Sequence, residues 1–340
     1  MKGIVMNVAA WMVWGQFAIV SGVIVVAGYH LSRYGDVIAE KTGLSGSWIG
    51  LALLATVTSL PELVTGISSV AAAHETDIAV GDVLGSCVFN LLILALLDAV
   101  YRKGSIFAGG KKGHLLIATY GILLLGMSAA GLLLAQAGRM PALAHVGLYA
   151  PAFLLVYLAA MHAAFRYERE DVAEFEAAEA ARYPGITLRQ AGTRYAVAAV
   201  AVVAAGSMLP FIAADLADLM GWSRSFVGTQ FVAAVTSLPE ITVTFAALRM
   251  GAIDMAIANL LGSNLFNIAI LAVDDAFYLP GPLLAHVSPV HAVTALAAIA
   301  MSAVVVIGLL TRPRGRIGGV MSWPGLALVA IYLLNSYALY

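Results

Sequence analysis

The chain has 340 residues, of which 61% are hydrophobic and 11% charged, with a formal net charge of −1. A water-soluble domain carries about 25% charged residues, so this composition, with a mean hydropathy of +0.93, excludes a soluble domain and describes an integral membrane protein. The single cysteine, Cys87, excludes an intramolecular disulfide framework and a thiolate metal cluster, and the lack of a basic stripe or recognition motif excludes nucleic acid as a partner.

The N-terminus carries Lys2 ahead of an apolar run and has the look of a signal peptide. The run is longer than such a peptide needs, so it reads as a first membrane helix. Apolar stretches of about 20 residues are long enough to span a bilayer. Ten are predicted, over residues 10–33, 45–72, 77–100, 114–136, 143–164, 193–219, 224–249, 251–274, 285–311 and 321–339. The longest polar segment, 166–192, mixes Glu168, Glu170, Asp171, Glu174, Glu176 and Glu179 with Arg166, Arg169, Arg182 and Arg189. Its first half is expected to be a short solvated helix ending near Pro184-Gly185. The predicted fold is therefore all-α and membrane-integral, with a first half over 1–165, a cytoplasmic linker over 166–192 and a second half over 193–340.

Lys and Arg concentrate in cytoplasmic loops. With both termini outside, fifteen of the eighteen basic residues fall on the inner side, and only Lys2, Arg139 and Arg224 stay outside. An error of one span would mix the two sets. This orientation places the chain as a multi-pass protein of the cell (inner) membrane.

The two halves repeat. Val-Thr-Ser-Leu-Pro-Glu occurs at residues 57–62 and again at 235–240. Upstream, Gly43-Leu44-Ser45-Gly46-Ser47-Trp48-Ile49-Gly50 parallels Gly221-Trp222-Ser223-Arg224-Ser225-Phe226-Val227-Gly228. Downstream, Gly81-Asp82-Val83-Leu84-Gly85-Ser86-Cys87-Val88-Phe89-Asn90 parallels Ala258-Asn259-Leu260-Leu261-Gly262-Ser263-Asn264-Leu265-Phe266-Asn267. Five spans separate the copies, so the second enters the membrane from the opposite side. Inverted repeats built on interrupted helices mark alternating-access transporters with a site at the midplane.

Each copy sets a helix breaker and a carboxylate inside an apolar run. A proline removes one N–H and pushes aside the carbonyl four residues back, here that of Val57 or Val235. Carboxylates and freed carbonyls at membrane depth face protein or a water-filled cavity. Glu62 and Glu240 sit near the middle of their spans, with Thr58, Ser59, Thr236 and Ser237 within a turn. Asp82 and Asn259 return to similar depth on the following spans, and Ser86 and Ser263 add hydroxyls. Such an oxygen set suits a hard cation of the Ca²⁺ or Na⁺ kind, and no resident cofactor is called for.

Plainer roles compete for these residues. A membrane glutamate can simply bond a neighbouring helix, and a proline can simply kink one. Ser86 and Ser263 can be packing residues. Asn90 and Asn267 read as interhelical hydrogen-bond formers, Cys87 as a small core residue, and His74 and Glu75 as solvated turn residues. Asp98, Asp274 and Asp275 fall near span ends, where a charge can reach the interface.

The paired Thr-Ser-Leu-Pro-Glu segments, each followed by a Gly-Ser helix, resemble the two α-repeats of the cation/Ca²⁺ exchanger superfamily, above all the prokaryotic Na⁺/Ca²⁺ exchangers. The resemblance covers nearly the whole chain. It implies extracellular termini, a cytoplasmic loop between the fifth and sixth spans, and the first and sixth spans sliding over the other eight. It also implies cation ligands at Thr58, Ser59, Glu62, Asp82, Thr236, Ser237, Glu240 and Asn259. The chain departs from the family pattern at Val57 and Val235, where glycine is usual, and at Cys87, where asparagine is usual. Its acidic member of the Asp82/Asn259 pair lies in the first repeat rather than the second.

The expected function is Na⁺/Ca²⁺ antiport, with H⁺/Ca²⁺ exchange as the first alternative and a cation channel or sensor as the second. An intramembrane hydrolase using Ser59 or Ser237 lacks a neighbouring His or Lys base, and no His-Glu-x-x-His motif occurs. The loop bias makes one topological prediction. A cysteine placed at Glu176, in a Cys87→Ser background, should react only with thiol reagents that enter the cell. Labelling by an impermeant reagent from outside would invert the orientation.

Overall fold

The computed structural model describes residues 2–42, 57–109, 111–178, 183–249, 251 and 253–340. The upstream repeat segment 43–50, the first part of the expected span 45–72, and the linker residues Glu179 and Arg182 lie outside the described residues.

The described chain is a helical bundle. Its helices are α1 (Lys2–Thr42), α2 (Leu60–Ser68), α3 (Thr76–Val100), α4 (Lys112–Gln136), α5 (Tyr149–Ala178) and α6 (Leu188–Met220). They are followed by α7 (Arg224–Thr236), α8 (Leu238–Arg249), α9 (Ile253–Phe277), α10 (His291–Thr311) and α11 (Trp323–Leu339). Among the described residues six helices are long and apolar enough to cross a membrane, and the bent pair α7–α8 makes a seventh. Shorter apolar helices occupy Leu60–Ala73, Tyr149–Ala164 and Trp323–Leu339. The outer surface is apolar: Ile19, Val26, Val197, Val200, Leu296 and Leu333 all stand exposed, as expected of a surface solvated by lipid.

Three expectations change. The fifth span does not start at residue 143, because Ala142–Leu143 and Val146–Gly147 pair as a two-stranded hairpin and the helix begins at Tyr149. The polar segment does not open with a separate helix. Helix α5 runs on to Ala178, because no Gly or Pro lies between Pro151 and Pro184 and Ala, Glu and Arg favour helix. The ninth span starts at His291 rather than 285. Gly281, Pro282 and Pro289 hold the preceding stretch irregular.

Helices α3 and α9 form the centre: 72% of the apolar stretch of each is buried, against 22% in α1 and 44% in α6. They cross through a polar seam. The Asn90 amide donates to Asn264 Oδ1 at 3.0 Å, and the Asn264 amide donates to the Cys87 carbonyl at 3.1 Å. In lipid, where apolar contacts between helices bring little hydrophobic gain, such bonds and close backbone packing supply the association.

Helices α1 and α6 pack against each other and lie over the repeat helices through glycines at matching places. A Cβ on Gly28 would fall 2.4 Å from Pro239 Cγ, and one on Gly206 would fall 3.2 Å from Val64 Cγ1. At one end α1 is joined to the α6–α7 turn by an aromatic cluster. Trp14 and Phe17 meet Phe231 edge-on, and Trp222 stacks on Phe231 at 5.1 Å.

Asp98 and Asp275 are fully buried rather than interfacial. Asp98 accepts from Ile106 N at 3.0 Å and Ser322 N at 2.6 Å. Asp275 accepts from Leu283 N at 2.6 Å and Gly147 N at 2.8 Å, and also from the Tyr149 hydroxyl. Each acid fastens the loop eight residues downstream and a segment from the opposite half of the chain. Replacing either with alanine should strand two buried N–H groups. A hydrogen bond to a charged group contributes about 1.5–3 kcal/mol, so each change should lower the thermal midpoint of the purified protein clearly. Asp254→Ala, which disturbs only the half-exposed pair with Lys111, should cost less than about 1 kcal/mol.

Candidate functional site

The two Thr-Ser-Leu-Pro-Glu segments break their helices in the same way. Ser59 has φ −94° and ψ 19°, and Ser237 has φ −85° and ψ 7°. Both lie in the sparsely populated bridge between helical and extended backbone, a region that often hosts functional residues. The cause is the proline two residues on. Inside a continuous helix its ring would collide with the carbonyl four residues back, but in the first turn of a new helix it is tolerated. The chain therefore breaks at the serine and restarts at once, with Leu63 N donating to Ser59 O and Ile241 N to Ser237 O. At the second copy the axes of α7 and α8 differ by 44°.

The breaks bring the two motifs face to face, each serine serving the other repeat's acid. Ser59 Oγ donates to Glu240 Oε1 at 3.1 Å, and Ser237 Oγ donates to Glu62 Oε1 at 3.2 Å. Thr58 and Thr236 bear on the same carboxylates, Glu240 and Glu62 respectively. Ser237 Oγ also lies 3.0 Å from Ser86 Oγ, and Ser263 Oγ reaches Glu240 Oε1 at 3.5 Å. Thr236 Oγ1 donates to Asp82 Oδ1 at 2.8 Å. Nine of the ten candidate residues thus gather here, and Thr58, Ser59, Glu62, Asp82, Ser86, Thr236, Ser237, Glu240 and Ser263 are all fully buried.

Asn259 is the tenth and stands apart. It is only partly buried, and its amide donates to Thr244 Oγ1 at 3.2 Å. Thr244 takes the place that Gly66 holds in the first repeat, one turn beyond the glutamate. The sequence marks it only by that i+4 spacing.

One oxygen on each acid, Glu62 Oε2, Asp82 Oδ2 and Glu240 Oε2, has no hydrogen-bond partner. The ion pairs among the described residues involve Glu40, Asp254, Glu75, Asp218 and Asp77, so no basic side chain answers these three acids. Glu75, expected to be merely solvated, is one of those paired residues and bonds Arg224 at 3.3 Å. A buried, unpaired charge costs several kcal/mol even after relaxation, so each of these acids either keeps its proton or sits beside a cation. Among the described residues the acids are not drawn together as a ready-made metal centre of three or more His, Cys, Asp or Glu. The donor set is mixed, with hydroxyls spacing the carboxylates, and all of its atoms are oxygens, the ligand type that hard cations take.

At the end marked by Glu75 and Arg224, α3 meets α7 backbone to backbone. A Cβ on Gly85 would lie 2.6 Å from Thr229 O and 2.7 Å from Ala233 Cβ, and one on Gly81 would lie 3.1 Å from Gly228 Cα. Asp82 is fully buried beside this contact, while its counterpart Asn259 is partly buried.

Comparison with known proteins agrees with this geometry. A family profile described as "Sodium/calcium exchanger protein" matches residues 12–159 and 194–340. Inner membrane protein YrbG of Escherichia coli K12 is 28% identical over 250 residues, which is 73% of this chain and 74% of that protein. The fold is similar to the crystal structure of H⁺/Ca²⁺ exchanger CAX, with TM-score 0.70, 14% identity and coverage of 96% and 85% of the two chains. It is also similar to the sodium-calcium exchanger NCX_Mj, with TM-score 0.61, 20% identity and coverage of 97% and 100%. The chain belongs to the sodium/calcium exchanger family.

The backbone contact at Gly85 makes a prediction. Gly85→Ala forces α3 away from α7 and should lower the thermal midpoint by an amount equivalent to about 1–3 kcal/mol, the usual cost of overpacking. An unchanged midpoint would show that the two helices part without cost.

Proposed function

We propose that this member of the family is a secondary antiporter that exchanges Ca²⁺ for Na⁺ by alternating access. The observation that carries the reading is the crossed pair of serine–glutamate bonds, which leaves three fully buried acids each with one free oxygen and no basic partner. Family members are secondary transporters rather than enzymes. In this reading Glu62, Glu240, Asp82, Thr58, Ser59, Thr236, Ser237, Ser86 and Ser263 line the ion site, and Asn259 belongs to its edge, bonded to Thr244. The chain has two inverted repeats of five spans, joined by a cytoplasmic linker over 166–192, with both termini outside.

The residues explain why the exchange is coupled. Each Ser–Glu bond spans the two repeats, so a cation drawn to one glutamate is felt by both. Ca²⁺ neutralises two carboxylates, and the charge on Asp82 sets whether three Na⁺ or fewer replace it. Without a cation the three acids repel one another, which disfavours crossing with an empty site. A channel needs no pair of matching half-sites.

Exchange of Ca²⁺ for H⁺ is the second reading, favoured by the higher fold similarity to the H⁺/Ca²⁺ exchanger and by three free carboxylate oxygens that accept protons as readily as Na⁺. One experiment separates the two. Purified protein in liposomes should take up radiolabelled Ca²⁺ when an outward Na⁺ gradient is imposed, and an outward H⁺ gradient alone should not drive it. Uptake driven by H⁺ would establish the second reading, and uptake under neither gradient would overturn exchange of Ca²⁺. Glu62→Gln and Glu240→Gln should each reduce transport about a hundredfold or more, in line with the 2–5 kcal/mol lost when one partner of a buried charged pair is removed.

A further inference from the structure

One acid of the bundle remains unexplained by the site or by the frame. Asp274 lies one turn from the end of α9, fully buried, with neither carboxylate oxygen hydrogen-bonded. Its neighbour Asp275 fastens the loop, as Asp98 does in the first repeat. The residue matching Asp274 in the first repeat is Leu97, so the fold itself does not require an acid there. The room for it is made by Gly66 on α2. A Cβ on that glycine would sit 2.5 Å from Asp274 Oδ2 and 2.6 Å from Oδ1. Gly66 follows Glu62 by four residues and so lies on the same face of α2, one turn of about 5.4 Å farther along. Asp274 is also within electrostatic range of Asp82. The acids bearing on it are Asp82 on α3 and Asp275 on its own helix, and no basic side chain pairs with it among the described residues.

We propose that Asp274, seated against Gly66, is a second cation-holding position for one singly charged guest, Na⁺ or a proton, one helical turn from Glu62. A buried carboxylate with no donor and no basic neighbour needs one positive charge. A divalent ion is unsuited, because the pocket offers one acid and a backbone where Ca²⁺ takes six to eight oxygens. Gly66 follows Glu62 toward the turn that holds Glu75, so Asp274 lies on that side of the cluster. The idea rests on the reading of the bundle as a cation exchanger, but its test does not rely on transport.

The test uses the full chain, purified in detergent or nanodiscs. If the guest is a proton, the infrared spectrum of the wild type should contain the carbonyl stretch of a protonated carboxylic acid that disappears in Asp274→Asn. Gly66→Ala, which leaves the acid in place but takes its space, should shift that band. If the guest is Na⁺, the band should be unchanged in Asp274→Asn. Instead, the thermal midpoint should rise with Na⁺ against a choline control, even in a Glu62→Gln/Asp82→Asn/Glu240→Gln background. Adding Asp274→Asn to that background should raise the Na⁺ concentration needed at least tenfold. Should the combined variant not fold, the same tenfold loss is sought in Asp274→Asn alone. A wild type showing neither an acid band from Asp274 nor a Na⁺ response that depends on it overturns the proposal. Loss of radiolabelled Ca²⁺ exchange in the wild type would overturn the exchanger reading and leave these two signals standing on their own.

Discussion

Buried carboxylates that pair with no basic side chain among the described residues govern this structure. A bundle in lipid gains little from further apolar contact between helices, and it pays for every charge it withdraws from water. Glu62 and Glu240 are held by the other repeat's serine, so neither half of the chain can build the cluster alone. The break at Ser59 and Ser237 is what frees those hydroxyls to point across the bundle. A continuous helix would bring the motif residues past each other at a different angle and leave the glutamates with only their own turn for company.

The same arrangement explains why the halves match in some places and part in others. Asp98 and Asp275 do equal work, each closing a loop of its own half and gripping a segment of the other. Asp82 and Asn259 do not. The first is sealed beside Thr236, and the second is turned to Thr244 and partly open. Frame residues keep the symmetry, and the polar pair beside the buried cluster loses it.

Much of this was legible in the chain. The duplicated Thr-Ser-Leu-Pro-Glu segments, the Gly-Ser helices and the polar residues one turn from each glutamate identify the cluster, because helical spacing alone fixes which side chains share a face. Repeat correspondence points Asn259 at the cluster, but its amide goes to Thr244, whose counterpart Gly66 offers no side chain, and the match between the repeats does not encode that choice. Asp98 and Asp275 looked interfacial because proximity to a helix end says nothing about a loop folding back over it. Their partners Ser322 and Gly147 lie far away in sequence. Helix α5 runs past its predicted end because charge marks where lipid stops, whereas only Gly or Pro would mark where a helix stops. The significance of Asp274 emerges only when Leu97 is set beside it and Gly66 is seen opposite.

Gly28 and Gly206 have a mechanical consequence. Helices normally lock by ridges seated in grooves, and moving one along the other means lifting side chains over a row of obstacles. Here α1 and α6 touch Pro239 and Val64 at places where they carry no side chain. At those two points the paired helices present bare backbone and have no knob to lift, while Ile24, Leu31 and Leu209 seat among side chains of the repeat helices to either side. Travel of the pair along the bundle would be resisted at those seated side chains and left free at the two glycines.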